Sequence, residues 1–408
     1  MDIPEQVINI INTLEKAEFE AYIVGGCVRD YLLGKTPKDW DITTSALPAE
    51  TKKLFSHTYD TGIAHGTITI VKDKTNYEVT TYRIDGVYSD FRHPETVTYT
   101  KKIEEDLSRR DFTMNAIAYN EKKGFCDPYK GRDDIKAKLI KGVGNPDKRF
   151  SEDALRMLRG VRFSAQLNFK IEENTYNSIV KNAGLIKNIS VERIREELTK
   201  LLLSPNPEKI TELKNTGLLK EILPEINENI YENCKTAKIL KILSEKKNTD
   251  ISAFYCGILY SLTEKEAYNI MKNLKFDTKT VKETSSLVKY SKRPIETGKY
   301  EIRKTLSETG KELYEKIIRI KKALYFDNEE ELLSLSKAEK LFCEIMENND
   351  CYSLKSLKIN GNILKEMGVT KGKEIGTILN LCLETVLKNP EKNTEKELIN
   401  CVKKSQKP

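Results

Sequence analysis

Histidine is nearly absent from this chain: three residues in 408, at His57, His65 and His93. That scarcity excludes the His-rich metal cluster of a metal-dependent phosphohydrolase domain. The eight cysteines (27, 126, 234, 256, 343, 351, 382 and 401) hold no CxxC pair and no zinc-site spacing, so they read as reduced, partly buried thiols. No apolar run approaches the ~20 residues that span a bilayer. The opening MDIPEQVINIINTLEKAEFE has no basic stretch followed by an apolar core, so no signal peptide is read there. A cytoplasmic location with no membrane partner is the expectation. With only 20 Gly and 12 Pro, a low-complexity chain is also excluded.

What is present fits a helix-rich globular protein of roughly two to four domains. Hydrophobic residues make up 38% and charged residues 32% of the chain, which suits a packed core inside a polar surface. The net charge of +7 comes from 69 Lys and Arg against 62 Asp and Glu, and permits a polyanionic partner without requiring one. Short β-branched runs occur only up to about residue 140: AYIV at 21–24, WDITT at 40–44, GTITIV at 66–71 and YEVTTYR at 77–83. From Arg149 onward apolar residues recur at helical spacing, as in Leu155, Leu158, Val161, then Ile194, Leu198, Leu201, then Ile317, Ile320, Leu324. The expected fold class is α+β, a mixed-sheet domain followed by an elongated all-α region. Polar breaks near 204–207, 246–249 and 327–330 accompany an expected division into 1–140, 141–204, 205–328 and 329–408.

The segment AYIVGGCVRDYLLGKTPKDWDITTS reads as a strand, a Gly25-Gly26 turn, a helix opening near Val28, and Asp39-Trp40-Asp41 entering a second strand. Residues two apart on a strand share a face at ~7 Å, so Asp39 and Asp41 can converge on one site. Two adjacent carboxylates repel, and Mg²⁺ removes that repulsion while filling its shell with water and phosphate oxygens. The glycine pair lets backbone approach a phosphate. A lone DxD is more often a surface turn; the ordered set is what is specific.

That set, Gly25-Gly26-Cys27-Val28-Arg29-Asp30 followed by Asp39-Trp40-Asp41, resembles the class II nucleotidyltransferases, the superfamily of bacterial and eukaryotic CCA-adding enzymes and bacterial poly(A) polymerases. The resemblance implies a polymerase-β-like catalytic head at 1–140 with Asp39 and Asp41 as metal ligands and Gly25, Gly26 and Arg29 at the nucleotide. It also implies two-metal transfer to an RNA 3′-hydroxyl with loss of pyrophosphate. Glu78, in YEVTTYR, fits a further supporting carboxylate and would share a strand face with Thr80 and Tyr82; an ordinary edge-strand glutamate is the alternative.

Further blocks follow in the family's order. RRDFTMNA (109–116) is similar to its sugar-binding motif, implying Arg110 for phosphates and Asp111 and Asn115 for the ribose. Asp127-Pro128-Tyr129-Lys130-Gly131 is similar to its short hinge. In RFSEDALRMLRGVRF, Asp153 and Arg156 lie three apart on an expected helix, with Arg159 and Arg162 continuing the row. An Asp acceptor beside an Arg donor imitates a pairing edge that fits C and A, which offer an amino group next to a ring nitrogen. EDxxR resembles the base-selecting motif of the family, with Glu152 orienting the pair, and would place it in a neck at 141–204. Ser190-Val191-Glu192-Arg193-Ile194 reads as a capped, structural helix start.

The polar stretch TTYRIDGVYSDFRHPETVTYT between the first two blocks reads as a connecting loop, and the resemblance implies that it is the family's flexible loop needed for the final A. Lys289–Arg293 and Lys299–Lys304 read as solvated surface or as a phosphate track. Gly368, Lys371, Gly372 and Lys373 precede a helix in a tail (329–408) that resembles the tRNA-binding end of bacterial members, beyond a helical body at 205–328. The implied partners are CTP, ATP and the tRNA acceptor arm, with a homodimer left open. Poly(A) addition, A-only addition and a non-catalytic RNA-binding role stand as the alternatives.

Overall fold

The computed structural model describes every residue except 87–95, 227–234, 247, 248, 370 and 406–408. Ala21 to Val24 are all buried, the pattern of a strand covered on both faces. This strand, β1 (Ala21–Val24), sits inside a seven-stranded mixed sheet with β2 (Ile42–Thr44), β3 (Thr58–Gly62), β4 (Thr67–Lys72), β5 (Thr75–Thr81), β8 (Ala118–Asn120) and β9 (Gly124–Cys126). The order is β3-β4-β5-β2-β1-β8-β9, antiparallel except for β2 against β5. β6 (Arg83–Asp85) and β7 (Val97–Tyr99) form a separate antiparallel pair.

Helix α1 (Glu5–Lys16) buries Val7, Ile10, Ile11 and Leu14, the i, i+3, i+4, i+7 stripe of an amphipathic helix. These pack with Ile23, Ile42 and Val79 in one core, while Tyr22, Val24, Tyr82, Ala118 and Val143 form a second. Adjacent strand residues thus supply opposite faces, so the sheet is covered on both sides. The sheet carries α2 (Gly26–Leu32), α3 (Pro48–Leu54), α4 (Ile103–Ser108) and α5 (Gly131–Lys136) between its strands and after them. Then come α6 (Pro146–Glu152), α7 (Leu155–Leu167), α8 (Glu173–Asn182) and α9 (Val191–Leu202). The apolar rows foreseen at 155–161 and 194–201 are buried on α7 and α9.

The chain divides into two compact units, Met1–Tyr231 and Glu232–Pro408. Among the described residues the second unit is helical throughout, and its helix Lys311–Leu324 buries Ile317, Ile320 and Leu324 as the spacing requires. Its basic segments at 289–293 and 299–304 carry internal ion pairs. Lys289 meets Glu264 at 3.2 Å, Arg293 meets Glu308 at 2.8 Å, Lys299 meets Glu344 at 2.6 Å, and Lys304 pairs with Glu384. No helix among the described residues is long and apolar enough to cross a membrane.

Three local expectations change. The sheet content does not end near residue 140, because β10 (Leu139–Ile140) pairs in parallel with β11 (Lys170–Ile171), a two-residue strand too short to show a period. β5 is an inner strand, so Glu78 is not an edge glutamate. That strand stops at Thr81, so Tyr82 lies beyond its end, buried with Tyr22 and Val24 while Glu78 is exposed.

Candidate active site

β1 ends at Val24, and the chain turns through Gly25 with φ of +81°, in the left-handed region that glycine adopts at little cost. A Cβ there would stand 2.8 Å from Arg110 Nη1, so glycine is also what lets this guanidinium reach the turn. Gly26 then opens α2, two residues before the position foreseen.

Asp39 and Asp41 are not on a strand: β2 starts at Ile42, and the two acids lie in the segment leading into it. The Asp41 carbonyl nonetheless accepts the Val24 N–H at 3.0 Å, which aligns it one residue ahead of the ladder. Because Ile42 pairs with Val79 and both are buried, the preceding residues Asp41 and Glu78 fall side by side on the other face. Asp41 lines two cavities. One, of about 460 Å³, also holds Gly25, Arg29, Arg110, Asp111, Asn115, Asp153, Arg156 and Arg159. The other, of about 510 Å³, holds Asp39, Trp40 and Glu78 and is lined by no arginine or lysine.

Burial pushes the Asp41 carboxyl above its ordinary range; Arg110 opposes that rise, and the like charges of Glu78 and Asp39 add to it. Burial and the charge of Asp41 likewise push the neighbouring Cys27 thiol up to about 11, which makes it an inert core thiol. A divalent cation fits this site, since it would remove the repulsion that raises Asp41. Among the described residues no three Asp, Glu, His or Cys groups come close enough to hold a metal by themselves. The fit is therefore to two carboxylates, with water and nucleotide oxygens completing the shell.

The arginine-rich cavity is held by a chain of hydrogen bonds. Arg29 Nη1 donates to Asn115 Oδ1 at 2.8 Å, Asn115 Nδ2 donates to Asp111 Oδ1 at 3.0 Å, and Arg159 Nε donates to Asp111 Oδ2 at 2.8 Å. Asp111 also accepts the Phe112 N–H at 2.8 Å. Burial alone would raise the Asp111 carboxyl, but Arg159 and Asn115 outweigh it and hold the group at about 2. Burial would lower Arg159, and the charges of Asp111 and Glu197 reverse that. Both arginines flank the Phe163 ring, at 5.1 Å for Arg29 and 5.3 Å for Arg159. Below them the fully buried Asp106 accepts from Arg109 Nε and Nη2 at 3.0 and 2.9 Å and lies 3.5 Å from Arg110 Nη2. Asp106 was legible only as an acid three and four residues before the paired arginines.

Asp153 and Arg156 line the same cavity but do not ride one helix. α6 ends at Glu152, and Asp153 has extended backbone (φ −140°, ψ 101°), its Oδ1 accepting the Leu155 N–H at 3.1 Å as α7 begins. Asp153 is gripped by Arg193 of α9 through Nη2 at 2.8 Å and Nη1 at 3.3 Å. Arg156 is oriented by Glu152 at 2.9 Å and by the Arg109 carbonyl at 2.9 Å. Glu152 thus orients Arg156, as foreseen, while Asp153 is set by Arg193, a member of a segment read only as structural. The expected row breaks at Arg162, which does not line the cavity; its Nε donates to buried Glu197 at 2.5 Å. Ser190 precedes α9 without a side-chain cap bond, so α9 is placed by such pairs and by its apolar stripe.

Gly131 packs tightly against the turn that carries Asn115, since a Cβ there would lie 2.1 Å from the Thr113 carbonyl oxygen. The DPYKG segment is therefore a fixed brace, with Asp127 accepting the Gly131 and Arg132 N–H groups at 2.7 and 3.0 Å. Of the polar stretch at 80–100, residues 87–95 lie outside the described residues. In the tail, Gly368 takes φ of +90°, and Lys371 and Lys373 are exposed around the start of helix Gly372–Lys388.

Comparison with known proteins adds three family matches: the "Poly A polymerase head domain" over residues 21–141, the "Probable RNA and SrmB- binding site of polymerase A" over 168–230, and a tRNA nucleotidyltransferase domain 2 over 243–402. The chain is 36% identical to the CCA-adding enzyme of Ligilactobacillus salivarius over 99% of its own length and 98% of that protein. It is 37% identical to that of Listeria monocytogenes over 98% and 97%. Its structure is similar to the Bacillus stearothermophilus CCA-adding enzyme solved in complex with CTP, with a TM-score of 0.81 at 31% identity, covering 100% of this chain and 98% of that one.

Proposed function

The chain belongs to the family of CCA-adding enzymes, and we propose that it adds C, C and A to the 3′ end of tRNA from CTP and ATP at the cavity bounded by Asp41 and the arginines. The observation that carries this reading is the meeting, in one cavity, of Asp41 with Arg110 and of both with Asp153 and Arg156. These come from three separated stretches of chain, and each supplies a different need of nucleotide transfer. Arg110 and Arg29 offer forked donors to a triphosphate, and Asp111 and Asn115 stand where ribose hydroxyls would be read. Asp153 accepts from an exocyclic amino group and Arg156 donates to a ring acceptor, which selects C and A over U and G.

The acceptor 3′ oxygen bonds the α-phosphorus as the bond to pyrophosphate breaks, and the hydroxyl proton is released. Divalent cations, Mg²⁺ by preference for carboxylate, water and phosphate oxygens, would be held by Asp39 and Asp41 and supply the charge that activates the hydroxyl and steadies the leaving group. Glu78 supports that charge balance from the neighbouring strand. We assign the catalytic head to 1–140, a neck to 141–204, a body to 205–328 and a tRNA-binding tail to 329–408. A tRNA substrate makes the cytoplasm the place of action.

The test is to offer tRNA lacking CCA, ending in CC, or complete, with each nucleotide alone and with CTP plus ATP. Addition that stops after CCA supports the reading. An indefinite A tail would assign poly(A) synthesis, and A added only to tRNA ending in CC would assign the A-adding activity. Asp41→Ala is expected to abolish incorporation while tRNA binding persists.

A further inference from the structure

We propose that Asp106 is a positioning residue for the triphosphate: it holds the Arg110 guanidinium in place and ties it to the strand that follows Asp41. The inference rests on the assignment of Arg110 to the phosphates and concerns what sets that side chain. Asp106 lies on α4, and the paired arginines follow it by three and four residues at the end of that helix, so both reach back to it. They meet it unequally. Arg109 donates twice to Asp106 Oδ1 and lies 3.8 Å from Asp85 Oδ2, so its charge is bracketed by two carboxylates. Arg110 approaches Asp106 Oδ2 through Nη2 alone, at 3.5 Å, and makes no other ion pair among the described residues. Its Nε has no hydrogen-bond partner there, and its Nη1 lies over the Gly25 turn. Arg110 is thus anchored at one nitrogen and lines the cavity with a charge that a phosphate can share.

The acid is itself fixed to the sheet. Asp106 Oδ1 accepts the Arg83 N–H of β6 at 3.4 Å, and Oδ2 accepts the Thr43 hydroxyl of β2 at 3.5 Å. Thr43 stands two residues after Asp41, so one fully buried carboxylate joins the strand leading from the metal-site acid to the arginine of the opposite wall. Burial alone would raise the Asp106 carboxyl; Arg109 and Arg110 outweigh it and hold the group ionised below its ordinary range. A buried charge of this kind fixes its partners in place, and a neutral side chain of the same shape does not.

Steady-state kinetics of the full chain test the assignment. Asp106→Asn keeps the shape and removes the charge. It is expected to raise the KM for CTP, the KM for ATP and the inhibition constant of pyrophosphate by one common factor of about tenfold, with kcat within threefold and discrimination against UTP unchanged. Arg110→Ala should raise the same constants, and adding Asp106→Asn to it should raise them no more than twofold further, because the acid acts through the arginine. A role in folding alone would lower the melting temperature or the active fraction and leave these constants unmoved. Should Asp106→Asn not fold, Thr43→Val carries the same test: it takes one hydroxyl from the carboxylate, keeps the β-branched shape, and is expected to raise the same constants about threefold. Wild-type constants in the folded variant, or full additivity with Arg110→Ala, would overturn the positioning role while leaving CCA addition standing. A wild-type protein that adds no nucleotide to tRNA would remove both.

Discussion

Asp111 is bound at once by a backbone N–H, an amide and a guanidinium, inside a cavity wall where each of those partners is itself committed. Its folded pKa of about 2 lies below the ordinary value of about 4, so its ionised form stabilises the fold above pH ~4 and that contribution is lost as pH falls towards 2. Asp111→Asn leaves Arg159 largely unpaired and should cost about 3 kcal/mol in denaturant unfolding at pH 7. The gap between variant and parent should narrow as pH falls from 4 to 2; a constant gap would refute the ion-pair account. Arg193 acts through Asp153. Arg193→Ala is expected to lower kcat/KM for both CTP and ATP about tenfold, on the scale of a charged hydrogen bond, and to raise UTP incorporation. Arg193→Lys should recover part of this, and unchanged nucleotide selectivity would sink the positioning role.

At the scale of elements, the site depends on where helices stop. The break between α6 and α7 frees Asp153 from helical geometry, so its carboxylate can cap α7 and meet α9 together. α5 is similarly fixed by the near contact of Gly131 with the turn at Thr113–Asn115. Gly131→Ala should destabilise the protein by about 1–3 kcal/mol through overpacking, and should raise the KM for CTP because the displaced turn carries Asn115. Thermal unfolding together with nucleotide titration measures both. A stability loss with an unchanged KM would show that the brace does not reach the pocket. The strand runs AYIV, GTITIV and YEVTT were readable because β-branched, alternating or fully apolar runs have few other uses. Their ends were not, since Gly66 and Tyr82 leave the ladder for reasons of turn geometry and packing.

Over the whole molecule, the proposed chemistry lies in the first unit, while the second is helical and pairs most of its noted basic segments internally. Among the described residues Lys371 and Lys373 are exposed and make no ion pair, unlike Lys299 and Lys304. Replacing both Lys371 and Lys373 by Ala should weaken tRNA binding and reduce its log–log salt slope by about 2, with no change in the KM for CTP. The Lys299 and Lys304 double variant should leave that slope unchanged, as its cations are already compensated. The amino-acid sequence by itself determined the residue types of the chemistry, the order of the blocks and the switch from sheet to helix. Each of these is written in composition, motif spacing or local period. Only the tertiary structure decided that Arg193 holds Asp153, that Arg159 rather than Arg162 reaches the cavity, and that Asp41 and Glu78 fall side by side. Ion pairs between residues 40 and 48 positions apart, and strand register, follow from how distant segments pack, and no local propensity records that.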